Sequence, residues 1–365
     1  MFLKVLMLAL LILNLSACQK QTLQEQMDAM FTEYSGNNMP GAALLIIQND
    51  KILLSKGYGV ANLEKNQPVS VTTNFRLASI TKTITATAIL QLVDAGQLSL
   101  ETYLTDIWSE FPNIGAQITI RDLLRHTSGL LDYESLLPET QSDNQFKQVR
   151  DADVLQLLMP HDTTYFQSGS QYQYSNSGYA LLALIIEKVT GLTYVEYLQK
   201  HIFKPAGMDS TIAYVDGINQ VENRACGYSI NDDGNVERTD QSRTSAVLGD
   251  GGVYSNLNDL YQWQLALSDH RILSSALRQE SLSDQQTNQN VDIDYGFGWR
   301  LEKHRGLDVT YHTGSTKGFR NVFYRIPAEQ MTIVILTNRN SYTSMTPLEM
   351  ARVIAEQLPA EKVND

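Results

Sequence analysis

Cysteine is scarce in this sequence, since Cys18 and Cys226 are the two among 365 residues. So few cysteines exclude a framework of several disulfide bridges. The six histidines contain no pair four residues apart of the kind that binds zinc in metalloproteases, and Cys226 lacks the local sequence of a cysteine nucleophile. The sequence therefore implies no metal or organic cofactor.

Basic residues are also in the minority, with 28 lysines and arginines against 40 aspartates and glutamates and a formal net charge of −12. A surface of this charge repels nucleic acid, so no nucleic acid partner is expected. The sequence has no low-complexity tract, internal repeat or block of like charges that would mark a linker. A hydrophobic content of 43% is enough for one large mixed domain with a substantial core.

A long apolar run occurs within residues 1–17, where Lys4 supplies one positive charge and small residues follow the run. Roughly a dozen apolar residues are fewer than the ~20 that span a bilayer as a helix. A charged start, an apolar stretch and small residues at its end are typical of an export signal. We predict that residues 1–17 are a signal peptide that is removed.

Cys18 follows directly, and the string Leu-Ser-Ala-Cys that it ends resembles a bacterial lipobox. The resemblance implies lipidation of Cys18 as the new N-terminus, with residues 18–22 as a short tether. Several acyl chains on one residue make a stable membrane anchor. Gln19 after the cysteine, rather than Asp, implies the periplasmic face of the outer membrane. The alternative is an ordinary signal peptide cleaved nearby, with no role for Cys18.

Apolar segments near both chain ends have the strand pattern, and those in the middle are mostly helical. Residues 42–47 and 52–55 are separated by turn residues, which predicts a hairpin. Further strands are predicted near the other end, over 295–301, 309–312, 319–326 and 331–337. Helices are predicted over 23–34 and 347–358 at the two ends, and over 81–95, 120–126, 152–158, 177–190 and 258–267 between them.

These elements predict an α+β fold in three layers. An antiparallel sheet is built from both chain ends and flanked by the terminal helices, with a mainly helical region inserted between its strands. The domain is expected over residues 23–358, with the sheet part over about 23–75 and 290–358 and the insertion over about 79–290. The active site is expected between the two parts, and residues 359–365 are expected to form a tail.

The first candidate for chemistry is Ser79-Ile80-Thr81-Lys82, at the start of a predicted helix. Residues three apart on a helix share a face, so the Lys82 amine can reach the Ser79 hydroxyl. A nearby amine is one way to activate a serine. The N–H groups of a helix start add positive charge where an oxyanion develops. Alone, the motif also fits a helix cap followed by a solvated lysine.

The second candidate is Tyr174-Ser175-Asn176, in a polar loop before a predicted helix. A tyrosine hydroxyl beside an ammonium can hold or relay a proton. Asn176 can donate its amide to a substrate carbonyl. An aromatic core residue followed by an asparagine helix cap explains the same letters, so this motif alone decides nothing.

The third candidate is His312-Thr313-Gly314-Ser315, at the end of a predicted strand. Glycine there allows close backbone approach, so a substrate can lie along the strand edge. His312 and Thr313 offer donors to a substrate carboxylate, and the backbone N–H groups of Ser315 and Ser79 can form an oxyanion hole. The alternative is a strand that ends in a glycine turn with an ordinary surface histidine.

The order of the three motifs decides between these interpretations. They resemble, in order, the active-site motifs of the serine beta-lactamase and penicillin-binding-protein family, with separations similar to those of class C beta-lactamases, D,D-carboxypeptidases and related esterases. Residues 118–130 and 249–256 also look like inner segments of that family. The resemblance implies Ser79, Lys82 and Tyr174 as catalytic residues, Ser79 and Ser315 as oxyanion hole, and Asn176, His312, Thr313 and Gly314 as substrate-binding residues.

Several parts of the mechanism stay open. Class C beta-lactamases typically have lysine where this chain has His312, and a partly charged histidine should hold a carboxylate more weakly or in a pH-dependent way. The sequence places no carboxylate as a base for deacylation, and either Lys82 or Tyr174 can be the general base. His126 is a further candidate base, but its Arg-His-Thr-Ser-Gly context favours a structural turn. Cys226, left without a partner by lipidation of Cys18, is expected to be a buried apolar residue.

The resemblance implies a serine hydrolase that forms an acyl-enzyme on Ser79 with a small peptide, lactam or ester substrate. A D,D-carboxypeptidase or a peptidase of D-amino-acid peptides is favoured, because the His-Thr-Gly form is more similar to those enzymes. An esterase and a true beta-lactamase are alternatives on the same fold and site. A non-catalytic envelope lipoprotein that binds penicillin or peptidoglycan is the alternative of a different class.

Replacement of Cys18 tests the lipid anchor. The Cys18→Ala protein has no site for acyl chains, so it should move from the membrane fraction to the soluble fraction. Fractionation and immunoblotting measure the distribution, and Cys226→Ala is the matched cysteine control that should stay with the membrane. Unchanged membrane association of Cys18→Ala would contradict the prediction.

Overall fold

The structure is a computed structural model that describes residues 21–36, 38–138, 148–269, 271–283, 285–341 and 344–358. The predicted signal peptide, Cys18 and the tail over 359–365 lie outside the described residues, so what was predicted for them stays a prediction. Within the described ranges, no single helix has the length and apolar composition needed to cross a bilayer, although the bent pair Asn176–Thr190 and Tyr194–Ala206 meets these criteria together.

The strands of five or more residues lie near the two ends of the chain, and most of the α-helices lie between them. The strands are β1 Ala42–Gln48, β2 Lys51–Tyr58, β3 Val60–Asn62, β4 Gln67–Pro68, β5 Phe75–Arg76, β6 Ile212–Ala213, β7 Tyr228–Ile230, β8 Val236–Arg238, β9 Val253–Ser255, β10 Gln285–Gln286, β11 Asp292–Ile293, β12 Arg300–His304, β13 Leu307–Ser315, β14 Arg320–Ile326 and β15 Met331–Thr337. The α-helices are α1 Leu23–Met30, α2 Thr81–Asp94, α3 Leu104–Ile107, α4 Ile120–Leu124, α5 Asp151–Leu158, α6 Asn176–Thr190, α7 Tyr194–Leu198, α8 Lys204–Ala206, α9 Leu248–Gly251, α10 Leu257–Ser268, α11 Ser275–Ser281 and α12 Pro347–Gln357.

The two chain ends share one antiparallel sheet of six strands, in the order β12-β13-β14-β15-β1-β2. The N-terminal hairpin joins the C-terminal strands where β1 pairs with β15, from Ala42 opposite Thr337 to Gln48 opposite Met331. Residues between β2 and β12 form the mainly helical region, so the predicted fold class is confirmed.

The central strands of the sheet are buried on both faces, as the unbroken apolar run of β1 indicates. Ala42, Leu44 and Ile46 pack toward the terminal helices, against Met27 and Ile354. The alternate residues of β1 belong to a second apolar cluster, which they share with the helical region. The result is the predicted arrangement of three layers.

Several predicted elements have different bounds. β2 and β13 extend to Tyr58 and Ser315, beyond the predicted ends at 55 and 312, and α1 ends at Met30 rather than at 34.

In two further elements, backbone conformation is the reason for the difference. The strand predicted over 295–301 begins at Arg300, because Gly298 has a φ of 81° and a Cβ there would lie 2.7 Å from the Lys82 carbonyl oxygen. The helix predicted over 120–126 ends at Leu124. His126 has a φ of 62°, which a right-handed helix cannot contain.

Asn338 fastens the end of the sheet to the inserted region. Its side chain is fully buried and accepts a hydrogen bond from the Gly41 N–H at 2.7 Å. The amide of Asn338 donates to the carbonyl oxygens of Val60 and Ala61, both at 3.1 Å, and of Cys226 at 2.9 Å. Cys226 itself is a buried free cysteine.

Asn338→Ala should therefore destabilise the protein. The change removes four buried hydrogen bonds, so the free energy of unfolding should fall by about 2 to 4 kcal/mol. Urea unfolding followed by circular dichroism measures the change. Asn235→Ala, at an exposed position, is the matched control, and equal stability of the two variants would contradict this role for Asn338.

Candidate active site

Ser79 lies in a short 3₁₀ turn, Ala78–Ile80, that leads directly into α2. Ala78 has a φ of 52°, a conformation that costs a residue with a side chain about 1 to 2 kcal/mol. Neighbouring strands hold the turn in place, because the Leu77 N–H donates to the Val253 carbonyl oxygen at 2.8 Å. Ser79 is left half-buried, in the wall of a cleft.

The Lys82 amine is the centre of the site. Its side chain has no exposed surface, and its Nζ donates to three oxygens from three parts of the chain. The acceptors are Ser79 Oγ at 3.2 Å, Asn176 Oδ1 at 2.9 Å and the Asp250 carbonyl oxygen at 2.8 Å. The contact predicted between Lys82 and Ser79 is present, and it is anchored by two further acceptors.

Tyr174 and Asn176 enter the site from the loop before α6. Ser175, rather than Asn176, caps this helix, since Ser175 Oγ accepts from the Gly178 N–H at 3.2 Å. The Asn176 side chain is thus available to Lys82. The Tyr174 ring centroid lies 5.0 Å from Lys82 Nζ, and the buried Tyr174 hydroxyl has no hydrogen-bond partner among the described residues. Tyr174 does not line the cleft, so its hydroxyl lies beneath the cleft wall with its capacity to donate and accept unused within the described residues.

The end of β13 presents an open strand edge beside Ser79. β12 pairs with β13 up to Tyr311, whereas β14 pairs with it as far as Ser315. Residues 312–315 therefore have no strand partner on the β12 side within the described part of the chain. A Cβ on Gly314 would lie 2.0 Å from the Leu77 carbonyl oxygen, so glycine is required for β13 to approach the turn that carries Ser79. Ser315 and Ser79 line the same cleft.

His312 lies behind the cleft rather than in its wall. It is 1% exposed, and both ring nitrogens have partners within the protein. Nδ1 lies 2.7 Å from the Thr313 carbonyl oxygen, to which it donates, and Nε2 accepts from the Tyr295 hydroxyl at 3.0 Å. Burial, Lys82 and Arg300 hold the pKa of His312 well below its usual range. The imidazole is therefore neutral, not partly charged as the sequence led us to expect.

The cleft has a volume of about 540 Å³ and charges of both signs in its wall. Arg243 and Lys317 line it, as do Glu134 and Asp250. Part of Glu134 is exposed. Partial burial of its carboxylate and the negative charges of Asp132 and Asp250 nevertheless raise the pKa of Glu134. Within the described residues, no group of three or more histidine, cysteine, aspartate or glutamate side chains is placed to hold a metal ion.

Comparison with known proteins agrees with this geometry. Residues 21–357 match the sequence profile of the beta-lactamase family. Penicillin-binding protein 4* of Bacillus subtilis is 30% identical over 337 residues, which cover 89% of this chain and 74% of the relative. A penicillin-binding protein from Bacillus halodurans has the same fold, with a TM-score of 0.76 and 28% identity over 92% of this chain and 99% of the other.

The chain belongs to the beta-lactamase family. It is also 29% identical to the D-aminopeptidase of Brucella anthropi over 82% of this chain, although the match spans only 56% of that longer relative. The predictions of the family and of a serine hydrolase are confirmed. The individual roles stay predictions, since position alone does not test a role. They are the catalytic roles of Ser79, Lys82 and Tyr174, the oxyanion hole of Ser79 and Ser315, and substrate binding by Asn176, His312, Thr313 and Gly314.

Asp250 is the site residue that sequence reasoning did not single out. Its string Gly249-Asp250-Gly251-Gly252 was noted as similar to the family, without a role. The backbone of α9 is fixed by the buried Asp151 carboxylate, which accepts from the N–H groups of Leu248 at 2.8 Å and Gly249 at 3.0 Å. This aims the Asp250 carbonyl oxygen at Lys82. The Asp250 carboxylate accepts from the Tyr133 hydroxyl at 3.1 Å.

The neutral state of His312 makes the stability of this beta-lactamase relative sensitive to acid. Its pKa is depressed in the folded protein, so the unfolded chain binds a proton first as the pH falls below about 6.5. The contribution of neutral His312 to the free energy of unfolding is complete above that pH. It decreases by up to about 1.4 kcal/mol per pH unit below it, until the folded-state pKa is reached.

His312→Gln should remove this part of the acid sensitivity. Glutamine keeps an acceptor for Tyr295 but does not titrate, so between pH 6.5 and 5.5 the variant should lose about 1 kcal/mol less unfolding free energy than the wild type. Urea unfolding at both pH values measures the losses, and a third series at pH 7.5 gives the cost of the replacement itself. Equal losses in the two proteins would contradict a neutral His312.

Proposed function

We propose that this chain is an exported, lipid-anchored hydrolase that cleaves peptide or amide bonds of D-amino-acid substrates, with Ser79 as the acyl acceptor. The observation that carries the proposal is the buried Lys82 amine within 3.2 Å of the Ser79 hydroxyl, beside an open strand edge. The names of the relatives, a penicillin-binding protein and a D-aminopeptidase, support this substrate class.

Acylation follows from the positions of the side chains. Lys82 and Tyr174 together take up the proton of Ser79 as Oγ attacks the substrate carbonyl carbon. The backbone N–H groups of Ser79 and Ser315 donate to the oxyanion, each contributing about 3 to 4 kcal/mol to the stability of the transition state. The Tyr174 hydroxyl donates a proton to the leaving amine and is reprotonated from Lys82. Water then attacks the ester, gives up a proton to Tyr174 or Lys82, and releases the acid and free Ser79.

The charges of the cleft support a short substrate with charged ends. Lys317, two residues after Ser315, and Arg243 line the cleft and can attract a carboxylate, while Glu134 lies near Asn176 and can attract an ammonium. Because His312 is buried and neutral, these exposed or half-buried cations replace it as the source of carboxylate attraction. A D-amino-acid peptide carries such groups, whereas a simple ester need not.

Export and anchoring complete the proposal. Peptides that contain D-amino acids belong to the cell envelope, and the predicted signal peptide and lipidated Cys18 would place the enzyme there, at the periplasmic face of the outer membrane. The domain from residue 23 onward would then face its substrate on a short tether.

A panel of substrates tests the function. The protein should hydrolyse a peptide ending in D-Ala-D-Ala or a D-amino-acid amide, and the L-isomers should react much more slowly. Ser79→Ala should reduce the rate by at least about 10⁴-fold. Chromatography of products together with the intact mass of the protein follows turnover and acyl adducts in the same samples.

Other outcomes of the panel would assign other functions. Faster turnover of a penicillin or of a simple ester than of any D-peptide would overturn the proposal in favour of a beta-lactamase or an esterase. A stable penicillin adduct, with no product from any substrate, would favour a binding protein. Equal activity of Ser79→Ala and the wild type would rule out the Ser79 mechanism altogether.

A further inference from the structure

Tyr174 cannot hold its own position by hydrogen bonding, because its buried hydroxyl has no partner among the described residues. A catalytic phenol must nevertheless be placed to within a fraction of an ångström, since a displacement of about 1 Å can cost about 10²-fold in rate. The backbone on either side of Tyr174 must therefore be fixed by other groups.

His126 fixes the backbone on both sides of Tyr174. The Gln173 N–H donates to the His126 carbonyl oxygen at 3.0 Å. The Ser175 N–H donates to His126 Nδ1 at 3.1 Å. One residue thus holds the N–H groups of the residues before and after the tyrosine, and the second bond also holds Ser175, the cap that directs Asn176 toward Lys82.

The rest of the turn containing His126 supports the same loop. The Gly169 N–H donates to the Thr127 carbonyl oxygen at 2.8 Å. The Tyr165 N–H donates to the Gly129 carbonyl oxygen, also at 2.8 Å. The positive φ of His126 turns the backbone so that its side chain and its carbonyl oxygen meet one loop. A conformation this unfavourable for a residue with a side chain is retained where the surrounding structure requires it.

Aromatic rings hold the imidazole of His126 in place. Its ring centroid lies 4.3 Å from that of Tyr174, 4.5 Å from Tyr295 and 5.0 Å from Tyr179. The ring is fully buried. Because Nδ1 accepts a hydrogen bond, it carries no proton, and burial together with the nearby Lys82, His312 and Arg300 disfavours a charged ring.

We propose that His126 is a positioning residue for the reaction, whose unprotonated Nδ1 and carbonyl oxygen clamp the peptide groups around Tyr174. The inference deepens the proposed function and rests on it, because Tyr174 needs this precision only if it moves a proton. His126 itself does not touch the substrate. Its effect on rate is transmitted through Tyr174 and Asn176.

Two substitutions of His126 distinguish the role of its hydrogen-bond acceptor, Nδ1, from that of the rest of its side chain. Asparagine carries Oδ1 on the same carbon that carries Nδ1 in histidine, so His126→Asn can still accept from the Ser175 N–H. His126→Gln places its oxygen one bond further away and cannot do so without moving the loop. Tyr179→Phe is the stability control, because it removes the hydrogen bond from Tyr179 to the Leu124 carbonyl oxygen and leaves the loop of Tyr174 untouched.

The experiment uses the full chain in detergent and two readouts. Hydrogen exchange measures the amides of residues 173 to 176, and labelling by a fluorophosphonate measures the reactivity of Ser79 without a choice of natural substrate. His126→Gln should speed exchange and slow labelling by about 10²-fold, whereas His126→Asn and Tyr179→Phe should stay within about threefold of the wild type in both. Melting temperatures identify any variant that fails to fold.

Each contrary result has a distinct meaning. Slow exchange in His126→Gln, as in the wild type, would overturn the clamp. Fast exchange with unchanged labelling, or equal labelling of the Asn and Gln variants, would overturn the positioning role. If the wild type itself is not labelled while Ser79 is intact, the hydrolase proposal fails, and hydrogen exchange still decides the clamp.

Discussion

The buried amine of Lys82 is the interaction on which the rest of the site depends. Burying an amine without partners is costly, so its three acceptors must all be in place when the protein is folded. One acceptor lies in the turn of Ser79. The other two lie at the start of α6 and in α9, at 94 and 168 residues from Lys82 along the chain. The packing of α2, α6 and α9 therefore places the three acceptors around the Lys82 amine. The Asp151 carboxylate contributes to this by fixing α9.

The other side of the site is built from neutral groups. Tyr174, Tyr295, His126 and His312 pack ring against ring near Lys82. Protonating either imidazole would place a buried positive charge beside the amine, which the low polarity of this region disfavours. The histidine that replaces the lysine of class C beta-lactamases is therefore a buried acceptor for Tyr295. Positive charge is instead found in the lining of the cleft, on Arg243 and Lys317.

Much of the architecture follows from local pattern. The apolar runs of β1 and β15 and the stripe of α12 predict strands and helices within a residue or two of their observed ends. Two of the differences occur where a residue has a positive φ, at Gly298 and at His126. In each case a contact with a distant segment selects the conformation, with the Lys82 carbonyl oxygen at Gly298 and with the loop of Tyr174 at His126. Periodicity carries no information about such contacts.

The sequence by itself determined the family, the order of the motifs and the pairing of Ser79 with Lys82, because residues three apart on a helix must lie together. Only the tertiary structure decided that Asn176 is not the helix cap, that a carbonyl oxygen of Asp250 completes the environment of the amine, and that His312 faces inward. The physical reason is the same for all three. Each depends on which distant groups satisfy a buried polar atom, and that is settled when the layers pack.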